Sequence, residues 1–286
     1  MALRTAIARL EECHVPSAPL AAELLLMDVL QQDRSWIYAH PEYELSLAQA
    51  LAYAQFIERR SKGVPTQYLT GRQEFWGIEF EVGPGVLIPR PETEHVIEVA
   101  LARLGPRRTQ SLRIADVGTG SGCIAVALAR ELPQAEIIAT DISAVALDYA
   151  RRNSARQEVS GRIQFFESNL LDACLDASGR ARSPFDLIVS NPPYVGRNDA
   201  AHLPREVREH EPAEALFAGD QGFDVYAALI EEAARALRAD GIFVVEIGYN
   251  GADYVRSLLS VAPWSDLTVT RDLSGIERVI SVRLTA

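Results

Sequence analysis

From Leu112 to the C-terminus, short apolar runs alternate with stretches of helical period, and this alternation constrains the fold more than any other feature of the chain. Strands are expected at 112–117, 136–141, 162–167, 185–190, 241–247, 266–271 and 277–284, with helices at 122–132, 143–156, about 222–239 and 250–260. Strand–helix alternation gives a parallel sheet covered by helices on both faces. The last two strands are separated only by Asp272-Leu-Ser-Gly275, too short for a crossover helix. The fold class is therefore α/β: a doubly wound, mostly parallel, Rossmann-like sheet with a C-terminal antiparallel hairpin at one edge.

A different pattern precedes it. Leu3, Ile7 and Leu10 recur at helical spacing, Ser17-Ala-Pro19 opens a second helix through Leu24, Leu25, Met27, Val29 and Leu30, and Ser46 can cap a third from Leu47 to about Ser61. Residues 1–72 read as a small helical domain, suited to docking a substrate. Residues 73–90 read as a β-hairpin linker, Phe75 to Val82 returning as Val86-Leu-Ile88 around a turn at Gly83-Pro84-Gly85. Residues 91–286 form the α/β domain. Pro91-Glu-Thr-Glu94 leads into a helix from Val96 to Leu104 and, taken alone, is ordinary helix-start chemistry.

Composition enters the argument through partners and compartment. The chain of 286 residues carries a net charge of −11, which makes it a poor general ligand for nucleic acid, whose affinity depends on neutralising phosphates. An acidic surface suits a basic protein partner instead. Cys13, Cys123 and Cys174 lack paired spacing, which argues for a reducing cytoplasm and against a zinc site or a disulfide framework. No apolar stretch is long enough to span a membrane, and the N-terminus lacks a signal-peptide core. The expectation is a cytoplasmic, monomeric enzyme that needs no metal.

Two motifs carry chemistry. In the first, Ile114-Ala-Asp116-Val-Gly118-Thr119-Gly120-Ser121-Gly122, a strand ends in glycines and a helix begins with exposed N–H groups. The spacing G-x-G-x-G differs from the dinucleotide fingerprint, although an NAD site would account for a glycine loop nearly as well. A second strand ends at Asp141, about twenty residues on, where a carboxylate can accept both ribose hydroxyls. In the second motif, Asn191-Pro192-Pro193-Tyr194 follows the strand Phe185–Ser190. Two prolines remove N–H donors and stiffen the turn, leaving carbonyls as acceptors beside the Asn191 amide and the Tyr194 ring. Acceptors and a flat apolar face suit a planar –NH2 group. A Pro-Pro turn that merely ends a strand is the plain alternative. The glycine spacing, Asp116 and the Asn-Pro-Pro-Tyr turn together favour S-adenosyl-L-methionine as the ligand.

With these segments in view, the chain resembles the protein-glutamine N5-methyltransferases that modify peptide chain release factors, the HemK or PrmC family. The resemblance spans essentially the full length. It rests on Pro65-Thr-Gln-Tyr68-Leu-Thr-Gly71, Val86-Leu-Ile-Pro-Arg-Pro-Glu-Thr-Glu94, the Asp116–Gly122 loop and Asn191–Tyr194, with Glu211-Pro212, Ala215-Leu216 and Val245-Glu-Ile-Gly248 further on. The resemblance implies a methyltransferase sheet and transfer of a methyl group from S-adenosylmethionine to a glutamine amide of a release factor. By the same resemblance, Gly118, Thr119, Gly120, Ser121 and Gly122 cradle the methionine part and Asp141 holds the ribose. Asn169 and Leu170 stand where the adenine is usually lined by an acid and an aromatic. Asn191 and the Pro192 carbonyl would bind the substrate amide, with Pro193 and Tyr194 beside it. Asn-Pro-Pro-Tyr is shared with amino-adenine methyltransferases of nucleic acid, so that reading stays open, as do ribosomal-protein glutamine methylation and a cofactor-binding scaffold without catalysis.

Overall fold

The computed structural model describes residues 1–261 and 263–285, which divide into two compact units. The first comprises Met1–Arg72 with Val82–Pro84 and Leu203–Glu211. Its helices are α1 (Ala2–Glu12), α2 (Ala18–Leu30), α3 (Arg34–Ala39), α4 (Leu47–Ser61) and α5 (Thr66–Thr70). Ser46 caps α4 through a reciprocal box with Gln49, as its spacing predicts. The apolar stripes of α1, α2 and α4 meet around Leu10, Ala22, Leu25 and Ile57, and the buried Tyr53 hydroxyl donates to the Ala22 carbonyl at 2.9 Å. Four leucines remain outside this core: Leu20 and Leu24 on α2, Leu47 and Leu51 on α4. Each pair is spaced i, i+4 and so shares one face of its helix.

The second unit opens with a two-stranded ribbon, β1 (Arg72–Phe75) and β2 (Ile78–Glu81), and continues into α6 (Glu94–Leu104). Its main sheet holds β3 (Arg113–Val117), β4 (Glu136–Asp141), β5 (Ile163–Glu167), β6 (Phe185–Ser190), β7 (Leu237–Glu246), β8 (Trp264–Arg271) and β9 (Glu277–Leu284) in the order β5-β4-β3-β6-β7-β9-β8. All neighbours up to β7 run parallel, and β9 is antiparallel to both β7 and β8. Around the sheet lie α7 (Cys123–Glu131) and α8 (Ala144–Arg156); the short α9 (Arg205–His210) belongs to the first unit, and the second continues with α10 (Ala213–Leu216), α11 (Asp224–Ala236) and α12 (Ala252–Leu259). Alternate residues feed opposite cores. Ile114, Leu187, Val189 and Val244 pack with α6 and α7, while Ala115, Ile188, Phe243 and Val245 pack with α11 and α12. Burial on both faces is why these strands read as continuous apolar runs. The expected α/β class and edge hairpin are what the chain forms.

One expectation needs correcting. The ribbon does not turn at Gly83-Pro84-Gly85 but at Trp76-Gly77, both with positive φ (56° and 66°). A two-residue turn with both φ values positive matches the twist of paired strands. Tryptophan is an unusual occupant, and carboxylates hold it: Trp76 N–H donates to Glu94 Oε1 at 2.8 Å and Gly77 N–H to Glu74 Oε1 at 2.6 Å. The ribbon residues 73–81 belong to the second unit. Among the described residues, no helix is long and apolar enough to cross a membrane.

Candidate functional site

The two sequence motifs meet because of strand register. On the central strand β3, Val117 pairs with Thr140 of β4 on one side and with Ser190 of β6 on the other. Gly118, Asp141 and Asn191 are therefore the next residues out on three adjacent parallel strands, whose spacing is about 4.8 Å. The buried Ser190 hydroxyl donates to the Val117 carbonyl at 2.7 Å and ties two of these ends together. Chain order reverses direction between β3 and β6, and this switch point is where open α/β sheets bind ligands.

A cavity of about 330 Å³ opens there, walled by Gly118, Thr119, Gly120, Ser121, Asp141, Asn169, Leu170, Asn191 and Pro193 among others. Asp116 and Gly122 lie behind the loop, and Pro192 and Tyr194 are set back from the cavity wall. Pro212, Glu214, Ala215 and Phe217 close another side, so the second half of the polar insert after Tyr194 forms a wall. It is held by pairing of Val195 with Phe217 and by the Val195 N–H to Leu216 carbonyl bond of 2.9 Å.

The glycine loop is built by internal bonds. Gly118 and Thr119 N–H both donate to the Thr140 carbonyl at 2.9 Å, Gly122 N–H to the Thr119 carbonyl at 2.8 Å, and Gly120 N–H to Asp141 Oδ2 at 2.8 Å. Asn153 of α8, nearly fully buried, donates from Nδ2 to the Ser121 carbonyl at 2.9 Å and clamps the far side. Gly122 sits at φ +82°, and a Cβ there would lie 3.0 Å from that of Ala150, so the glycine lets α7 begin against α8. A loop that cradles phosphate needs free N–H groups. Four of these are already bonded, which disfavours the dinucleotide alternative.

Electrostatics point the same way. Among the described lining residues the charged groups are Arg90, Asp141 and Glu214. Beneath the loop Asp116 is fully buried; its Oδ2 accepts from Thr119 Oγ1 at 2.6 Å and Ala125 N–H at 3.0 Å, while Oδ1 has no partner. Burial pushes its pKa up to about 7, and Asp141 adds to the rise. Burial likewise raises Asp141, against the N–H bonds from Ser143 and Gly120, with Glu214 adding repulsion. Clustered carboxylates, one with an orphaned buried oxygen, favour a positively charged ligand. An ammonium or sulfonium group fits where a phosphate does not.

The Asn-Pro-Pro-Tyr turn is anchored from behind. Asn191 Nδ2 donates to Thr93 Oγ1 at 2.9 Å, and the Tyr194 hydroxyl donates to Glu246 Oε1 at 3.1 Å. Glu246 ends β7 with no exposure to solvent, and its Oε2 has no partner. Burial raises its pKa to about 7; hydroxyl donation from Thr93 and Tyr194 and the charge of Arg278 pull it down, and Glu92 pushes it up. Tyr226, also fully buried, donates to the Glu246 carbonyl at 3.3 Å and accepts from Gly248 N–H at 3.4 Å. Thr93 and Glu246 escape a motif-by-motif reading. Thr93 passes for a helix cap, yet its side chain makes no capping bond. The signal for Glu246 is a carboxylate inside the otherwise apolar run Ile242-Phe-Val-Val-Glu-Ile247.

Other candidates fall away. Cys123 is buried, and burial pushes its thiol up to about 12, far from a reactive thiolate. Among the described residues no histidine lines the cavity and no cluster of His, Cys, Asp or Glu is arranged to hold a metal.

Comparison with known proteins places this geometry in context. Residues 1–71 match the model of the PrmC N-terminal domain, and residues 98–207 that of the methyltransferase small domain. A release factor glutamine methyltransferase of Koribacter versatilis is 45% identical over 279 residues, 98% of this chain and 96% of the relative. The enzyme of the same name from Chlorobaculum tepidum is 43% identical over 283 residues, 98% and 95% of the two chains. A 16S rRNA methyltransferase of Thermus thermophilus, solved with AdoMet and guanosine, shares the fold with a TM-score of 0.54 at 19% identity, covering 75% of this chain and 50% of that one.

Proposed function

The chain belongs to the release factor glutamine methyltransferase family, and on that footing we propose that it methylates the side-chain amide nitrogen (N5) of a glutamine in a class 1 peptide chain release factor, with S-adenosylmethionine as the methyl donor. The observation that carries the reading is the register of three strand ends. Asp141, Gly118 and Asn191 stand side by side, so a ligand held over the glycines and an amide held at Asn191 are about one strand spacing apart.

The donor, when bound, supplies a methyl group already activated on a sulfonium. The residues then have positioning to do. Asp141, fixed by two backbone N–H groups, keeps lone pairs for the ribose hydroxyls. Asp116 and the carboxylates of the wall favour the positive charge, and Asn169 and Leu170 lie where the adenine edge would rest. Asn191 Oδ1 and the Pro192 carbonyl would accept the two N–H hydrogens of the substrate amide, directing the nitrogen toward the glycine loop, with Tyr194 stiffening the turn from behind. Two acceptors on one nitrogen favour the more pyramidal, electron-rich geometry that develops as the new bond forms. In-line placement of this kind is worth about 7–11 kcal/mol. Proton loss follows to water.

The helical unit is assigned to docking the release factor, supported by the exposed leucines of α2 and α4. Incubating the purified protein with labelled donor and, in parallel, unmodified release factor, DNA and RNA tests the whole reading. Mass spectrometry should find one added methyl on one glutamine of the release factor. Label in nucleic acid alone, or in none of the three, refutes it.

A further inference from the structure

The glycine loop is held in place by a residue set back from the cavity. Asn153 on α8 is 1% exposed and lies outside the described cavity wall. Its side chain bonds two separate segments: Nδ2 donates to the Ser121 carbonyl at 2.9 Å and to the Glu81 carbonyl at 3.0 Å, and Oδ1 accepts from the Glu81 N–H at 2.7 Å. Glu81 ends β2, so one asparagine joins the ribbon to the loop. We propose that Asn153 is a positioning residue for the methionine portion of the donor, and that through it the ribbon of β1 and β2, itself outside the described cavity wall, controls donor affinity. The proposal deepens the reading of the cavity as a methyl-donor site and rests on it.

The bonds leave little choice of residue. A carboxamide supplies two N–H donors and an acceptor from one planar group, and both kinds are in use here. An ionised aspartate of the same shape only accepts, and an aliphatic side chain does neither. The bond to Ser121 matters because the 121–122 peptide is then fixed at both ends: its carbonyl by Asn153, and its N–H, on Gly122, by the Thr119 carbonyl at 2.8 Å. Ser121 is 2% exposed, lines the cavity and carries a buried Oγ without a partner. A buried hydroxyl left unsatisfied is costly, and a polar group of a ligand can take it up. On the other side, the ribbon is strapped to α8 by the ion pairs Arg152–Glu81 at 3.0 Å and Arg156–Glu79 at 2.7 Å. A displaced ribbon therefore pulls on Asn153, and a displaced Asn153 releases the peptide that presents Ser121.

Coupling of this kind runs both ways, so a ligand seated over the loop must also steady the ribbon. Two measurements on the full-length protein test this. The first is calorimetry on wild type, Asn153→Asp and Asn153→Ala with two ligands: S-adenosylhomocysteine, which is the donor without its methyl group, and adenosine, which lacks the amino-acid portion. Both variants should bind S-adenosylhomocysteine about tenfold or more weakly, because the Ser121 carbonyl loses its buried partner, and adenosine within about twofold of wild type. Equal losses for the two ligands, or no loss for either, overturn the proposal, since Asn153 is then general packing or without effect. The second is hydrogen–deuterium exchange over residues 72–82, with and without S-adenosylhomocysteine. Exchange at Glu81 should slow when ligand binds to wild type and should show no such response in Asn153→Ala. A wild-type ribbon that exchanges equally fast with and without bound ligand overturns the proposal even if no variant folds. Wild type that binds neither ligand removes the donor reading and the proposal with it; wild type that binds S-adenosylhomocysteine while the ribbon stays unresponsive removes the proposal alone.

Discussion

On the proposed function, single residues at this site divide into those that would hold the donor and those that would hold the acceptor. Asp141 faces the cavity from the end of β4 and Asn191 from the end of β6, so substitutions should separate kinetically. Asp141→Ala should raise cofactor Kd by about 10- to 100-fold, since a charge-assisted pair of ribose bonds is lost; calorimetry reads this directly, and unchanged affinity counts against the ribose assignment. Asn191→Ala should instead cut kcat by about 10²- to 10³-fold with little effect on cofactor Kd. Equal kcat values under saturating substrate would remove Asn191 from the mechanism. Asp116 and Glu246 make a separate prediction about pH. Both have folded pKa values raised to about 7, so the folded state binds their protons more tightly than the unfolded chain. Their contribution to stability is full below the ordinary carboxyl range and is lost as pH rises through about 7. Melting temperature should therefore fall across that window in the wild type, and Asp116→Asn should flatten the fall. A wild-type melting temperature that rises from about pH 5 to pH 8 would contradict both shifts.

At the scale of elements, the sequence announced whatever depends on local pattern. The strand–helix alternation, the edge hairpin around Asp272–Gly275 and the strand ends at Gly118 and Asn191 that meet at the cavity follow from periodicity and from turn residues. The ribbon turn did not, because Trp76-Gly77 owes its conformation to carboxylates, one of them eighteen residues away in Glu94. Thr93 and Glu246 escape a local reading for a related reason: it sees a helix start and a strand end, and only the folded sheet brings Thr93 to Asn191 and Glu246 to Tyr194. Strand β7 also starts earlier than expected, at Leu237, since its register breaks between the pairs Phe185–Leu237 and Leu187–Ile242. The junction of the glycine loop with α7 offers a test at this scale. Gly122→Ala meets Ala150 at 3.0 Å and sits at positive φ, two penalties that together should cost about 1–3 kcal/mol. Denaturant midpoints should fall accordingly, and cofactor affinity with them; a neutral substitution would mean that α7 and α8 can part more easily than their packing suggests.

For the molecule as a whole, two units carry two kinds of surface. The sheet-based unit holds the chemistry, and the helical unit exposes leucines on α2 and α4 that its own core does not use. If those leucines dock the release factor, Leu47→Asp with Leu51→Asp should raise KM for the intact factor by about tenfold or more and leave kcat nearly unchanged. The same double substitution should not alter turnover of a short glutamine-containing peptide too small to reach that surface. A matching KM rise for the peptide would move the docking function elsewhere. The net charge of −11 adds that binding to a basic partner should weaken with salt.

The glycine loop, finally, decides what else in a cell can enter this cavity. Adenine nucleotides and dinucleotides are abundant and carry the same adenosine, so a pocket recognising that portion alone would spend most of its time blocked by ATP or NAD. Here the backbone amides that would welcome a diphosphate are turned inward, on Thr140, Thr119 and Asp141, and two of the three charged groups that line the cavity, Asp141 and Glu214, are acidic. On the proposed function, selectivity among adenosine compounds would come from rejection of anions, and millimolar ATP should compete no better than adenosine itself.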